Sequence, residues 1–153
     1  MQKDIRVRKI SRGTVIDHIS AGQALNVLKI LGITKEHPKT TLTVAINVPS
    51  KRIGVKDIVK VEGLELRGED IDKISLIAPE ATINIVRDYK VIEKKKVEIP
   101  EKIEGMVKCA NPNCITNFEI VKTKFIVEKK HPISIMCLHC ERVMMEKDIV
   151  RQF

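Results

Sequence analysis

All four cysteines of the chain, Cys109, Cys114, Cys137 and Cys140, fall in its last third as two close pairs. Each pair sits in a stretch able to turn as a knuckle: Cys109-Ala-Asn-Pro-Asn-Cys114, with a turn-forming Asn-Pro-Asn inside it, and the tighter Cys137-Leu-His-Cys140. A tetrahedral zinc ion takes four thiolates at about 2.3 Å, and two such knuckles supply them when the intervening segment folds back as a strand pair. Disulfides are the competing reading. No secretory leader, further cysteine or small secreted scaffold accompanies these four, so a reducing compartment is expected and the metal reading is preferred. Four thiolates close the coordination shell and leave no place for an activated water, so the ion is expected to be structural. His131 and His139 are read as solvated loop residues, because the cysteines already complete the ligand set.

A metal changes what the length allows. Of 153 residues, the last third is too short to bury a secure core without help, and metal-binding free energy there becomes folding free energy. Two domains are therefore expected, 1–98 and 99–153, with Glu98-Ile-Pro-Glu-Lys102 as the linker. The formal charge of +8 drops by two when four thiolates bind a divalent ion, which still leaves a basic chain suited to nucleic acid or phosphorylated ligands. Tyr89, Phe118, Phe125 and Phe153 are the only aromatic residues, few platforms for stacking successive bases. No apolar run is long enough to cross a membrane as a helix, so a soluble, cytoplasmic protein is expected.

Periodicity orders the first domain. Ile5 to Ile10 alternates apolar and basic residues, and after Arg12-Gly13 the run Thr14 to Ile19 is again β-like. A helix follows, with Ser20 and Gln23 as a capping box, Ala21, Ala24, Leu25, Leu28 and Leu31 on one face and Gly32 as its stop. Thr40 to Val48 and Val55 to Val61 read as strands, Glu69 to Ile77 as a helix with acids in its first turn, and Ala81 to Val86 and Tyr89 to Val97 as strands joined at Arg87-Asp88. The fold class is α+β: a ferredoxin-like split βαβ sheet with two helices on one face, followed by a small all-β zinc-binding domain with strands at Phe125 to Val127 and Ile133 to Met136.

Enzyme constellations are thin. There is no Gly-rich phosphate loop or nucleophile elbow, and Asp17-His18 is a poor acid–base pair because neighbours on a strand point to opposite faces. Lysines alternating with Val and Ile are ordinarily the solvated face of a sheet. Lys56 and Lys60, however, share one strand face at even spacing, and Lys94 on another strand could meet them around a polyphosphate.

Arg12-Gly-Thr-Val-Ile-Asp-His18, Gly54-Val-Lys-Asp-Ile-Val-Lys60, Ala78-Pro-Glu-Ala-Thr-Ile-Asn84, Tyr89 to Lys94 and the cysteine quartet enclosing Asn111-Pro-Asn113 together resemble the regulatory chain of aspartate carbamoyltransferase, over almost the whole sequence. The resemblance implies a non-catalytic subunit of pyrimidine biosynthesis whose N-terminal domain binds the nucleotide effectors CTP and ATP. Its C-terminal zinc domain would dock on a separate catalytic chain. By the same resemblance Asp17 and Lys60 contact ribose and base, His18 and Lys94 contact phosphates, and Lys56 lies near the phosphate end. Ile10, Val15, Ile58, Thr82, Asn84, Val86, Tyr89 and Val91 form the base pocket. Asn111, Asn113, Glu141 and Arg142 meet the catalytic chain. Regulatory chains of this type pair through their N-terminal domains, and three such dimers join two catalytic trimers.

This sequence departs from the best-known bacterial pattern in three places: two fewer residues ahead of Arg12, His139 inside the second cysteine pair, and a more basic Glu93-Lys-Lys-Lys96. Abundant Lys, Ile and Glu with few Gln point to a hot-living organism. The rival from another class is a nucleic-acid-binding zinc-ribbon protein, which the basic charge and the knuckles suggest. It competes poorly, since an RNA-binding sheet of this kind presents aromatic residues on its central strands and Val55 to Val61 has none.

Overall fold

The alternating run after Arg12-Gly13 becomes the central strand of an antiparallel sheet, β1 (Arg12–Ser20). The computed structural model describes residues 9–153, so most of the expected strand at Ile5 to Ile10 lies outside the described residues; Lys9 and Ile10 are not in a strand. Two compact units are found, the first running to Glu98 and the second Ile99–Phe153.

Among the described residues the first unit holds β1, α1 (Ala24–Leu31), α2 (Ile33–Glu36), β2 (Leu42–Ser50), β3 (Gly54–Glu62), α3 (Glu69–Ile77), β4 (Thr82–Arg87) and β5 (Lys90–Lys96). The sheet order is β2-β3-β1-β4-β5. The first four are a split βαβ arrangement, and β5 extends it by a hairpin. The hairpin turns at Asp88 and Tyr89, whose φ values of 51° and 64° suit a tight two-residue turn. Thr14, Ile16, Val59, Ile83 and Ile85 fill the core on one side of the sheet, where α1 packs against α3, β2 and β3. At Gly13 the chain needs glycine: a Cβ there would clash with the Val61 carbonyl oxygen on β3.

Several expectations are corrected. Ser20 does not cap α1; it is the last residue of β1, paired with Lys56, and the Gln23 side chain makes no capping bond. The buried Asp57 carboxylate on β3 instead accepts the N–H groups of Gly22 at 2.9 Å and Ala24 at 3.0 Å. A carboxylate fixed across the sheet supplies the same service as a local cap and adds favourable charge at the helix start. With the entry set this way, the buried face of α1 is Ala24, Val27, Leu28, Ile30 and Leu31, and Leu25 is exposed. Strand β2 runs on through Pro49, which an edge strand tolerates because its N–H side needs no partner.

The second unit is a four-stranded antiparallel sheet, β6 (Lys102–Glu104), β7 (Lys124–Lys130), β8 (Ile133–Cys137) and β9 (Val143–Met145), in that order. Its short helix α4 (Glu146–Val150) and its strands β6 and β9 go beyond the sequence reading. Ile103, Phe125, Ile135, Met144 and Ile149 are its fully buried large side chains. That is a small core, as its length requires.

Candidate functional site

The second unit brings its four cysteines together. Cys109 and Cys114 come from the loop before a 3₁₀ turn at Ile115–Asn117, and Cys137 and Cys140 from the end of β8 and the turn after it. All four sulfurs lie within 4.8 Å of one another. Cys109 Sγ is 3.6 Å from Cys140 Sγ, and Cys114 Sγ is 3.8 Å from Cys137 Sγ. A tetrahedron with metal–sulfur bonds of about 2.3 Å has edges of about 3.8 Å, so the donor set fits a thiolate-bound divalent ion. The same distances exclude disulfides, whose sulfurs sit about 2.05 Å apart.

Hydrogen bonds hold the knuckles. Asn111 O accepts Cys114 N, and Asn117 Nδ2 reaches the carbonyls of Cys109 and Asn111 at 3.1 and 2.7 Å. Glu141, with φ 64°, donates its N–H to Cys137 O, and Cys137 N donates to Arg142 O. Thr116 Oγ1 donates to Cys114 Sγ at 3.2 Å and His139 N to Cys137 Sγ at 3.4 Å. Burial pushes the Cys109 thiol up to about 12 and the Cys137 thiol up as well, while the Asn111 side chain beside Cys140 brings that thiol down to about 7. Four thiols in contact resist shared ionisation until a cation compensates them. Asn113, Glu141 and Arg142 are exposed and Asn111 is half-buried. Beside them sequence reasoning missed an apolar group, Ile115, Phe118 and Ile120, all exposed. The signal is present in Ile115-Thr-Asn-Phe-Glu-Ile120, three apolar residues in a segment with neither strand alternation nor α-helical spacing.

The first unit gathers its lysines on the sheet face away from the α1 core. Directly opposed residues of neighbouring strands share a face. Lys60 pairs with Val15, Val15 with Asn84 and Asn84 with Lys94, giving one row across β3, β1, β4 and β5. Val86 and Val91 are paired in the next row. Ile58 and Lys56 follow Lys60 on its face by even spacing. Lys60, Ile58, Thr82, Asn84 and Val86 are all buried, Lys60 to 8% exposure. Lys60 is thus no solvated surface lysine. Asn84 Nδ2 donates to Val15 O at 3.3 Å. Ile10 is buried, and Tyr89 stands exposed at the β4–β5 turn with its N–H on Ser11 O.

At one end of this face β1 bulges. Pairing with β3 shifts between Ile16 and Ile19, and His18 takes φ 56°. Strict alternation is lost there, yet the carboxylate meets the backbone N–H of His18 and the ring turns to Thr82. Asp17 Oδ1 accepts the His18 N–H at 2.6 Å and pairs with Lys56 Nζ at 2.9 Å, and the His18 ring meets Thr82 Oγ1 at 3.1 Å. Burial lowers the His18 pKa, Asp17 opposes that, and the charges of Lys56, Arg52 and Lys94 deepen it. Asp57 is the residue that sequence reasoning overlooked. Besides starting α1, its carboxylate accepts Asn47 N at 3.1 Å, where β2 bulges with φ 60°. Two surface hollows lie elsewhere, about 680 Å³ beside Arg12 and His37 and about 830 Å³ beside Gly105 and Phe153. The first takes in none of the lysine-face residues, and the second takes in Ile120 of the exposed apolar group.

A metal-ready thiolate quartet and a cation-lined sheet occupy separate units, and family comparison divides the chain at the same place. One family model, described as the allosteric domain of the aspartate carbamoyltransferase regulatory chain, matches residues 5–98, and a second, its metal binding domain, matches residues 101–150. The chain belongs to the aspartate carbamoyltransferase regulatory chain family. The regulatory chain of Pyrococcus horikoshii is 55% identical over 147 residues, covering 96% of this chain and 97% of that one. That of Methanocaldococcus jannaschii is 56% identical over 144 residues, 94% and 95% of the two chains. That of Thermococcus kodakarensis is 52% identical over 151 residues, 99% of each. As an aspartate carbamoyltransferase regulatory chain it has an allosteric and a metal-binding domain, and it is a non-catalytic subunit. No helix among the described residues is long and apolar enough to cross a membrane.

Proposed function

We propose that this chain senses nucleoside triphosphates for an aspartate carbamoyltransferase and passes their binding to separate catalytic chains, so controlling pyrimidine synthesis in the cytoplasm. Domain 1–98 is the nucleotide-binding part and 99–153 the docking part. The observation that carries the reading is the sheet face itself: a buried Lys60 and Asn84 in one row with Lys94, and Asp17, His18 and Lys56 gathered at the adjoining bulge. A carboxylate suits ribose hydroxyls, ammonium and imidazolium groups suit phosphate oxygens, and strand-edge backbone groups can tell an exocyclic amine from a carbonyl. Ile10, Ile58, Thr82, Val86, Tyr89 and Val91 complete the base pocket.

Zinc is the ion proposed for the cysteine quartet. Its indifference to geometry and its affinity for thiolates favour it for a closed structural site. Asn111, Asn113, Glu141 and Arg142, with Ile115, Phe118 and Ile120 beside them, form the docking face toward catalytic trimers. The chain dimerises through its first unit. A nucleotide then controls the assembly by binding one quaternary state more tightly than another, with couplings of about 1–3 kcal/mol.

The test is to mix the chain with catalytic trimers and follow activity against aspartate with and without CTP and ATP, beside Lys60→Ala and Lys94→Ala. Nucleotide-dependent activity that both substitutions blunt is expected. Activity that ignores every nucleotide would overturn the proposal, and a chain that binds an oligonucleotide at raised salt and no mononucleotide would favour the nucleic-acid-binding zinc ribbon instead.

A further inference from the structure

We propose that Arg52, in the turn between β2 and β3, binds the outer phosphates of the nucleotide and is the residue by which this chain separates triphosphates from monophosphates. The inference rests on the nucleotide reading above.

The β2–β3 hairpin closes at the pair Ser50 and Gly54, so Lys51, Arg52 and Ile53 form the loop. Ser50 Oγ accepts the N–H groups of Arg52 at 3.3 Å and Ile53 at 3.4 Å. That hydroxyl fixes the loop backbone at the point where the arginine leaves it. Register then locates the loop. Lys56 pairs with Val48 on one side and with Ser20 on the other, so the loop stands at the end of the sheet where β1 bulges at Asp17 and His18. The row of Lys60, Val15 and Asn84 lies farther from that end along the same strands. A ligand whose base lies along that row carries its phosphates toward the turn.

Charge accounting points the same way. Lys56 already has Asp17 at 2.9 Å. Among the described residues neither Arg52 nor Lys94 has a carboxylate within ion-pair distance. Both charges nevertheless act on the His18 ring, as does that of Lys56. The Asp57 carboxylate is taken up by the N–H groups of Gly22, Ala24 and Asn47. On this face the bulge is therefore ringed by more positive charge than Asp17 neutralises, a field that favours a multiply charged anion. A guanidinium adds what the lysines lack, a planar fork that takes two oxygens at once. The simpler alternative is a solvated surface cation at a hairpin tip, and the two differ in which ligands notice its loss.

The full chain is titrated calorimetrically with CTP and with CMP at fixed salt, as wild type, Arg52→Gln and Lys51→Gln. Loss of one charge-assisted contact should weaken CTP about tenfold in Arg52→Gln and leave CMP within about twofold. Lys51→Gln removes an equal charge from the same loop and should leave both ligands within about twofold. The proposal is overturned if Arg52→Gln keeps wild-type CTP affinity, if it weakens CMP as much as CTP, or if Lys51→Gln matches it. Failure of the nucleotide reading is seen separately and first: a wild-type chain that binds neither CTP nor ATP removes both proposals together.

Discussion

His18 shows how one backbone angle sets the chemistry of a side chain. Its φ of 56° turns the ring toward Thr82, into a setting where burial, Lys56, Arg52 and Lys94 all disfavour the imidazolium and only Asp17 favours it. The pKa is thereby held below the ordinary 6.5, so the ring is mostly neutral at neutral pH. Acidification charges it, and a charged ring attracts phosphate more strongly. CTP affinity should therefore rise as pH falls through the His18 pKa, and His18→Asn should flatten that rise. The phosphate's own titration is common to both proteins and cancels in the comparison. Identical pH profiles for wild type and variant would remove His18 from the phosphate end. Asp57 is a structural counterpart. Its buried carboxylate takes N–H groups from Gly22, Ala24 and Asn47, so Asp57→Ala leaves three donors without a partner. A loss of about 3 kcal/mol is expected in urea unfolding of the first unit. Lysines at even spacing were legible in the sequence, because strand alternation is a local rule. Neither Asp57 nor the bulge was, because the partners lie on other strands.

Elements that depend on their own residues were read with few errors, and those fixed by distant ones were not. Helix α3 spans Glu69–Ile77 as its first-turn acids and apolar spacing require. Helix α1 has another cap and a partly different buried face from those its sequence predicts, because Ser20 and Gln23 make a persuasive local signal that Asp57 overrides from β3. The pair of cysteine knuckles was legible because each is built from consecutive residues, whereas β6 and β9 are three-residue strands that exist only through pairing with β7 and β8. Gly13 makes a prediction at this scale. With φ 140° and a Cβ position that would clash with Val61 O, Gly13→Ala must push β1 away from β3 at the first pair of their ladder. A loss of more than about 2 kcal/mol is expected, together with weaker nucleotide binding, since Val15 and Lys60 pair two residues farther along. Gly22→Ala, which has open space around its Cβ and a φ of 89°, is the control. It should carry backbone strain alone and leave the β1–β3 register intact.

At the scale of the molecule, the two units differ in what keeps them folded. The first has a sheet with α1 packed on it and α3 packed against α1. The second relies on a few fully buried large side chains and on four cysteines, three of them buried. Structural zinc sites bind with about 10–16 kcal/mol at neutral pH, more than the whole stability expected of so small a core. Removing the metal should therefore unfold the second unit and spare the first. Amide NMR during titration with a mercurial or a strong chelator separates the two: cross-peaks of residues such as Phe125 and Ile135 should collapse while those of Ile16 and Val59 persist. Cys114→Ser should reproduce the collapse without a chelator and abolish assembly with catalytic trimers, while CTP binding survives. Because the thiols must lose protons to hold the ion, the free metal needed to keep the second unit folded should rise as pH falls. If both sets of cross-peaks vanish at one metal activity, the units fold as one body and the ion is no longer the private support of the docking domain.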